Sequence, residues 1–170
     1  MAAKSKNEEK LYDILKDLEI CMMTTVEPGG RLHTRPMAIQ EPDQTGAIWF
    51  ITDKTQSAAE NVKANPQVSL GFSNARGRHV AVSGKAKLVG DRALIDAMYS
   101  EEMDAWFPKG RTDPNIVLIE VTPERGEYWD GGSSTVISAL AYLKTKIVGG
   151  DGDDLIDHAK VLMKKKGASR

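Results

Sequence analysis

A single cysteine, Cys21, leaves the chain unable to close an internal disulfide, so a reducing compartment, the cytoplasm, is the expected location. The three histidines, His33, His79 and His158, are scattered, and neither CxxC nor HExxH occurs, which removes the common zinc-ligand patterns. An excess of either charge is missing too. Lys plus Arg number 23 against 24 Asp plus Glu, so there is no electrostatic case for a nucleic-acid or acidic-membrane partner. The longest apolar runs, such as NIVLIEV, are strand-length and too short to span a bilayer. The opening MAAKSKNEEKLYDIL carries no apolar stretch of the kind that directs secretion. No Ser-His-Asp or Cys-His arrangement can be argued from the spacing, and Cys21, flanked by apolar residues, reads as a buried, inert thiol.

The 170 residues fit one domain large enough to bury a core without staples. Leu11, Ile14, Leu15 and Leu18 recur at helical spacing and predict an amphipathic helix over 7–18. ICMMTTVE and RLHTRPMAIQ flank Pro28-Gly29-Gly30 and predict a β-hairpin. AIWFIT predicts a third strand, QSAAENVKAN a short helix, and QVSLGFS and HVAVSGKAKLVG two further strands, with Gly84 marking a bulge or bend in the second. DRALIDAMYSEEMDAW reads as a helix capped by Asp91, and IVLIEVTPERGEYWDGG as the last two strand segments. SSTVISALAYLKTKI and DGDDLIDHAKVLMKKK read as closing helices, the latter with acids first and lysines last, as the helix dipole favours. Consecutive strands with short connections and helices at the rim give an antiparallel α+β class, and the Gly84 bend favours a barrel. The expected organisation is a single domain over 1–170, with an N-terminal helix at 7–18, a six-stranded barrel over 20–131 and helices over 133–166.

Five places invite a functional reading. Arg35 precedes Pro36 in a strand. It is either a surface arginine on an edge strand or an anion site, because the planar guanidinium fork matches phosphate oxygens. In WFITDKTQS, Thr52, Lys54, Thr55 and Ser57 stand where a strand ends and a helix begins. They either cap the helix or ligate phosphate, and with Arg35 they make a phosphate pocket if the two strands are neighbours. Trp106-Phe107 in DAWFPKG and Tyr128-Trp129 in GEYWDGG hold four of the ten aromatics. Each pair is either a satellite cluster over the core or a site for a planar ligand. His79 follows a glycine turn and reads first as a hydrogen-bonding surface residue.

The ordered set HTRPM, IWFITDKTQSAAENVKANPQVSLGF, VAVSGKAKLVGDRALIDAMYS, AWFPKG and VTPERGEYWD resembles the general stress protein 26 group of the pyridoxamine 5′-phosphate oxidase-like family, over residues 15–149. That resemblance implies a flavin-binding split β-barrel and a homodimer with two flavin sites at the subunit interface. It implies that Arg35, Pro36 and Met37 hold the flavin, and that Ile51 and Thr52 add contacts from the end of the next strand. His79 takes a position near the flavin ring, and Trp106 and Phe107 match the aromatic loop beside it. One departure stands out. Gln56 and Ala58 occupy positions where many relatives place a phosphate-binding serine and lysine, with Lys54 and Ser57 as substitutes. The implied cofactor is FMN, with FAD as the alternative. The implied role is a flavin-dependent oxidoreductase, with three alternatives: a non-catalytic flavin-binding stress protein, a barrel that holds deazaflavin or haem (His33 and His79 being the candidate axial ligands), or a dimeric domain without a ligand.

Overall fold

In a computed structural model, residues 6–40, 46–130 and 157–162 are described. Helix α1 (Lys6–Lys16) buries Leu11, Ile14 and Leu15, and two i→i−3 hydrogen bonds, from Asp17 and Leu18, tighten its end so that Leu18 also reaches the core. Strands β1 (Ile20–Val26) and β2 (Leu32–Ala38) form the expected hairpin, fully in register from Ile20 opposite Ala38 to Val26 opposite Leu32. Then come β3 (Ile48–Asp53), α2 (Ser57–Ala64), β4 (Gln67–Ser73), β5 (Arg78–Val89), α3 (Arg92–Met98), β6 (Ile116–Asp130) and β7 (Asp157–Leu162).

The strand path is β2-β1-β4-β5-β6-β3, with every pairing antiparallel and β7 added alongside β6. The two ends of the path, β2 and β3, meet at one isolated bridge, where the Gln40 N–H donates to the Trp49 carbonyl at 2.9 Å. The barrel is therefore split between β2 and β3. Its interior holds Leu70, Val80, Val82, Phe50, Ile119, Val121 and Tyr128. A second apolar cluster lies on the other side of β3 and β6, where Trp49, Leu118 and Ile116 pack against Ile95, Tyr99 and Phe107. β3 is thus apolar on both faces, which explains the unbroken run AIWFIT.

Gly84 sits at a true bulge. Ser83 pairs with Arg125 and Gly84 with Pro123, leaving Glu124 as the extra residue on β6. Pro123, which has no N–H to give, is accommodated at that irregularity. The two expected strand segments at 116–130 are consequently one bent strand.

Two helix expectations change. The helix over DRALIDAMYSEEMDAW divides into α3 and a 3-10 turn at Glu101–Ala105. Asp91 caps α3 as expected, accepting from the Ala93 and Leu94 N–H groups. The break falls at Tyr99, whose backbone is extended and whose hydroxyl donates to Asp104 at 2.7 Å while Arg111 lies over its ring. The second closing helix is corrected outright over Asp157–Leu162, which is strand β7. β3 covers only the first half of β6, and β7 fills the vacant edge beside Arg125–Asp130, with Val161 buried and Lys160 exposed in strand alternation. The helix expected at SSTVISALAYLKTKI lies outside the described residues. Among the described residues no helix is long and apolar enough to cross a membrane.

Candidate functional site

β2 alternates between a half-buried face, formed by His33, Arg35 and Met37, and an exposed face, formed by Leu32, Thr34, Pro36 and Ala38. The half-buried face is the one turned to the core, where Met37 packs on the main cluster. Arg35 has its Nη1 donating to the Thr25 hydroxyl at 3.0 Å. The same hydroxyl accepts from Asn61 Nδ2 on α2, also at 3.0 Å, and lies 3.5 Å from the His33 carbonyl oxygen. Arg35 Nε and Nη2 are buried and have no hydrogen-bond partner among the described residues. These two nitrogens share one edge of the guanidinium, so their N–H bonds run parallel and match two oxygens of one carboxylate or phosphate. Burial lowers the Arg35 pKa from its ordinary value and the Glu27 carboxylate offsets part of that effect, so the cation persists in a partly dry setting.

The start of α2 lies one helical turn from Asn61. Its N-cap residue, Gln56, makes no side-chain bond to the first-turn N–H groups, which is the arrangement an anion exploits. Thr55 is not available there. Its hydroxyl and then its N–H bond Asp53, both at 2.7 Å, and hold that carboxyl below its usual range. Ser57 opens the helix and is half-buried, and Ala58 is buried in the main core. Lys54 turns the other way, donating to the Pro114 carbonyl at 3.3 Å and lining an open cleft of about 380 Å³ that it shares with Arg92.

The remaining expected site residues are dispersed. Phe107 belongs to the second cluster and Ile51 packs against that cluster, and Thr52 is buried at the end of β3. Pro36 is exposed opposite Met22. His79 is exposed on the outer face of β5 with Nδ1 2.9 Å from the Ser73 hydroxyl, its cross-strand neighbour. Trp106 is 82% exposed while the adjacent Phe107 is buried against Tyr99 with ring centroids 6.2 Å apart. His33 is on the Arg35 side, 3.0 Å from a Glu27 carboxylate oxygen. The two histidines weighed as haem ligands thus face opposite sides of the sheet. Among the described residues no group of three His, Cys, Asp or Glu side chains is arranged to hold a metal.

Sequence reasoning missed Thr25 and Asn61. Both are buried polar residues in apolar surroundings, and the signals were present: a second threonine in CMMTTV, and an asparagine inside a helix, where its propensity is poor.

Comparison with known proteins fits this geometry. The family model for pyridoxamine 5′-phosphate oxidase-like proteins matches residues 6–153. General stress protein 26 of Bacillus subtilis is 31% identical over 138 residues, covering 77% of this chain and 94% of that protein. A crystal structure named for general stress protein 26 from Jannaschia sp. CCS1 superposes with a TM-score of 0.73 at 27% identity, covering 94% of this chain and 100% of that one. The general stress FMN/FAD binding protein of Xanthomonas citri superposes at 0.65 with 27% identity, covering 77% and 93%. With its split antiparallel barrel and the RPM strand at the opening, the chain belongs to the pyridoxamine 5′-phosphate oxidase-like family.

Proposed function

We propose that the protein binds a flavin, FMN in the first instance with FAD as the alternative, and acts as a flavin-dependent oxidoreductase. The observation that carries the reading is the Arg35 edge: two buried nitrogens on β2, with parallel N–H bonds and no hydrogen-bond partner among the described residues. Leaving buried donors unpaired is costly, and a phosphate satisfies both at once. The Xanthomonas citri relative, named an FMN/FAD binding protein, supports the same ligand class. When bound, the flavin supplies hydride or electron transfer, while the chain grips, orients and desolvates it.

The reading includes a homodimer. On the outer face of β1 and β2, Ile20 is 59% exposed, Met22 47% and Leu32 72%, with Pro36 and Ala38 beside them. An apolar patch of this kind favours a partner surface, and a second copy fits the dispersal of Pro36, His79 and Trp106 over surfaces that one chain leaves open. These residues would then reach a flavin held between two subunits.

The test is direct. FMN or FAD is added to the purified protein, excess is removed by desalting, and the visible flavin absorbance is read for the parent and for Arg35→Ala. Two charge-assisted hydrogen bonds contribute about 1.5–3 kcal/mol each, so Arg35→Ala is expected to weaken FMN binding by about 100-fold or more. Absence of any titratable flavin, or equal affinity in the variant, refutes the proposal. Sedimentation of the parent and of Met22→Lys tests assembly: the parent is expected to be a dimer and the variant a monomer.

A further inference from the structure

Thr25 and Asn61 lie behind the arginine, not in front of it. Thr25 is 0% exposed and Asn61 4%, and the Thr25 hydroxyl and Asn61 amide nitrogen are already engaged with each other, with Arg35 and with the His33 carbonyl. Their hydrogen bonds converge on one atom. The Thr25 hydroxyl accepts from Arg35 Nη1 and from Asn61 Nδ2, which fills its two acceptor positions. Its single hydrogen is left for the His33 carbonyl oxygen, at 3.5 Å. That carbonyl belongs to β2, two residues from Arg35, so the hydroxyl ties the guanidinium to the arginine's own strand and, through Asn61, to α2.

We propose that Thr25 and Asn61 are positioning residues that hold Arg35 by Nη1, so that the Nε/Nη2 edge is kept presented as a two-point receptor for a terminal phosphate. The site would consequently select a phosphate monoester over the same molecule without its phosphate. The identity of the ligand rests on the flavin reading above; the role of the two residues rests on the hydrogen bonds around Arg35. A free arginine side chain samples many rotamers, and fixing it in advance removes that cost from binding. The surroundings are consistent: the fork is buried, its far end is anchored, and the near edge alone is unpartnered among the described residues.

The experiment compares FMN with riboflavin, which lacks only the phosphate. Affinities for both are measured with the parent, Thr25→Val, Thr25→Ser, Asn61→Ala and Arg35→Ala, each checked for a cooperative thermal transition. Thr25→Val and Asn61→Ala are expected to weaken FMN by about 10-fold or more and leave riboflavin within about two-fold. Thr25→Ser, which restores the hydroxyl, is expected to restore the preference. In an Arg35→Ala background Thr25→Val should add no further loss, because the two act through one group. Equal weakening of FMN and riboflavin, or a Thr25→Val effect that persists without Arg35, marks a merely structural role and overturns the proposal. A second measurement needs no flavin. The Arg35 Nε–H resonance of labelled protein is followed as inorganic phosphate is added, with a saturable shift expected in the parent and a weakened one in Thr25→Val. Failure of both flavins to bind alongside that shift refutes the flavin reading but supports the positioned fork. The absence of any phosphate-dependent shift, or an identical shift in both proteins, overturns the positioning role.

Discussion

Replacing Gly84 by alanine probes how the barrel bends. A Cβ built on Gly84 falls 2.2 Å from the Thr122 carbonyl oxygen, 3.0 Å from its carbonyl carbon and 3.1 Å from Pro123 Cα. All three are backbone atoms of β6, so no side-chain rotation relieves the contact. Comfortable separations are about 3.5 Å, so β5 and β6 must part by roughly 1 Å at the bulge. Ladder hydrogen bonds of about 2.9 Å do not survive that displacement. Overpacking contributes about 1–3 kcal/mol, and one or two weakened ladder bonds about 1 kcal/mol each. The expected loss is about 3 kcal/mol. For a chain of this size each kcal/mol lowers Tm by about 2–4 °C, which gives a fall of about 6–12 °C. Thermal melting followed by circular dichroism reads this directly. Gly90→Ala, where nothing lies within 4 Å of the added Cβ, is the matched control and should stay within about 0.5 kcal/mol of the parent. A Gly84→Ala protein melting within about 2 °C of the parent refutes the argument that backbone approach dictates this glycine.

The aromatic pair separates exposure from packing: Phe107→Ala should cost about 3 kcal/mol in denaturant unfolding, whereas Trp106→Ala should leave the stability of the isolated chain within about 0.5 kcal/mol. Burial pushes the Cys21 thiol up to about 12 from a usual value of 9.0, so the native protein should resist a thiol reagent at pH 8 and react once unfolded. Because that pKa is raised on folding, the contribution of Cys21 is complete below pH 9 and is lost as pH rises towards 12; Cys21→Ala should flatten that part of the pH–stability profile. Asp91→Ala, which removes the α3 cap bonds to Ala93 and Leu94, should cost about 1 kcal/mol by the same melt.

Periodicity made most of the elements legible. The Pro28-Gly29-Gly30 turn between two alternating stretches gave a hairpin, and it forms with Gly29 and Gly30 at positive φ. Gly84 announced a bulge, because little else explains a glycine inside so regular an alternation. Asp91 announced its cap. The failures share a cause. Helical charge patterning in DGDDLIDHAKVLMKKK was overridden at Asp157–Leu162 by an open edge on β6, and local sequence carries no information about that edge. The long helix after Asp91 was interrupted by Tyr99, whose extended backbone accompanies bonds to Asp104 and Arg111.

For the site, the sequence by itself determined the chemistry on offer: an arginine beside a proline in a strand, a helix start after DKTQ, and aromatic loops in a chain otherwise poor in rings. Only the tertiary structure decided what those residues face. It turned Lys54 towards Pro114, spent Thr55 on Asp53 and set His79 beside Ser73 on the outer surface. It also brought Thr25 from β1 and Asn61 from α2 onto Arg35 from β2, residues up to 36 positions apart. The physical reason is that a strand's period assigns each side chain to a face, whereas the partners on that face come from strand order and helix docking. Those are set by burial of the whole core.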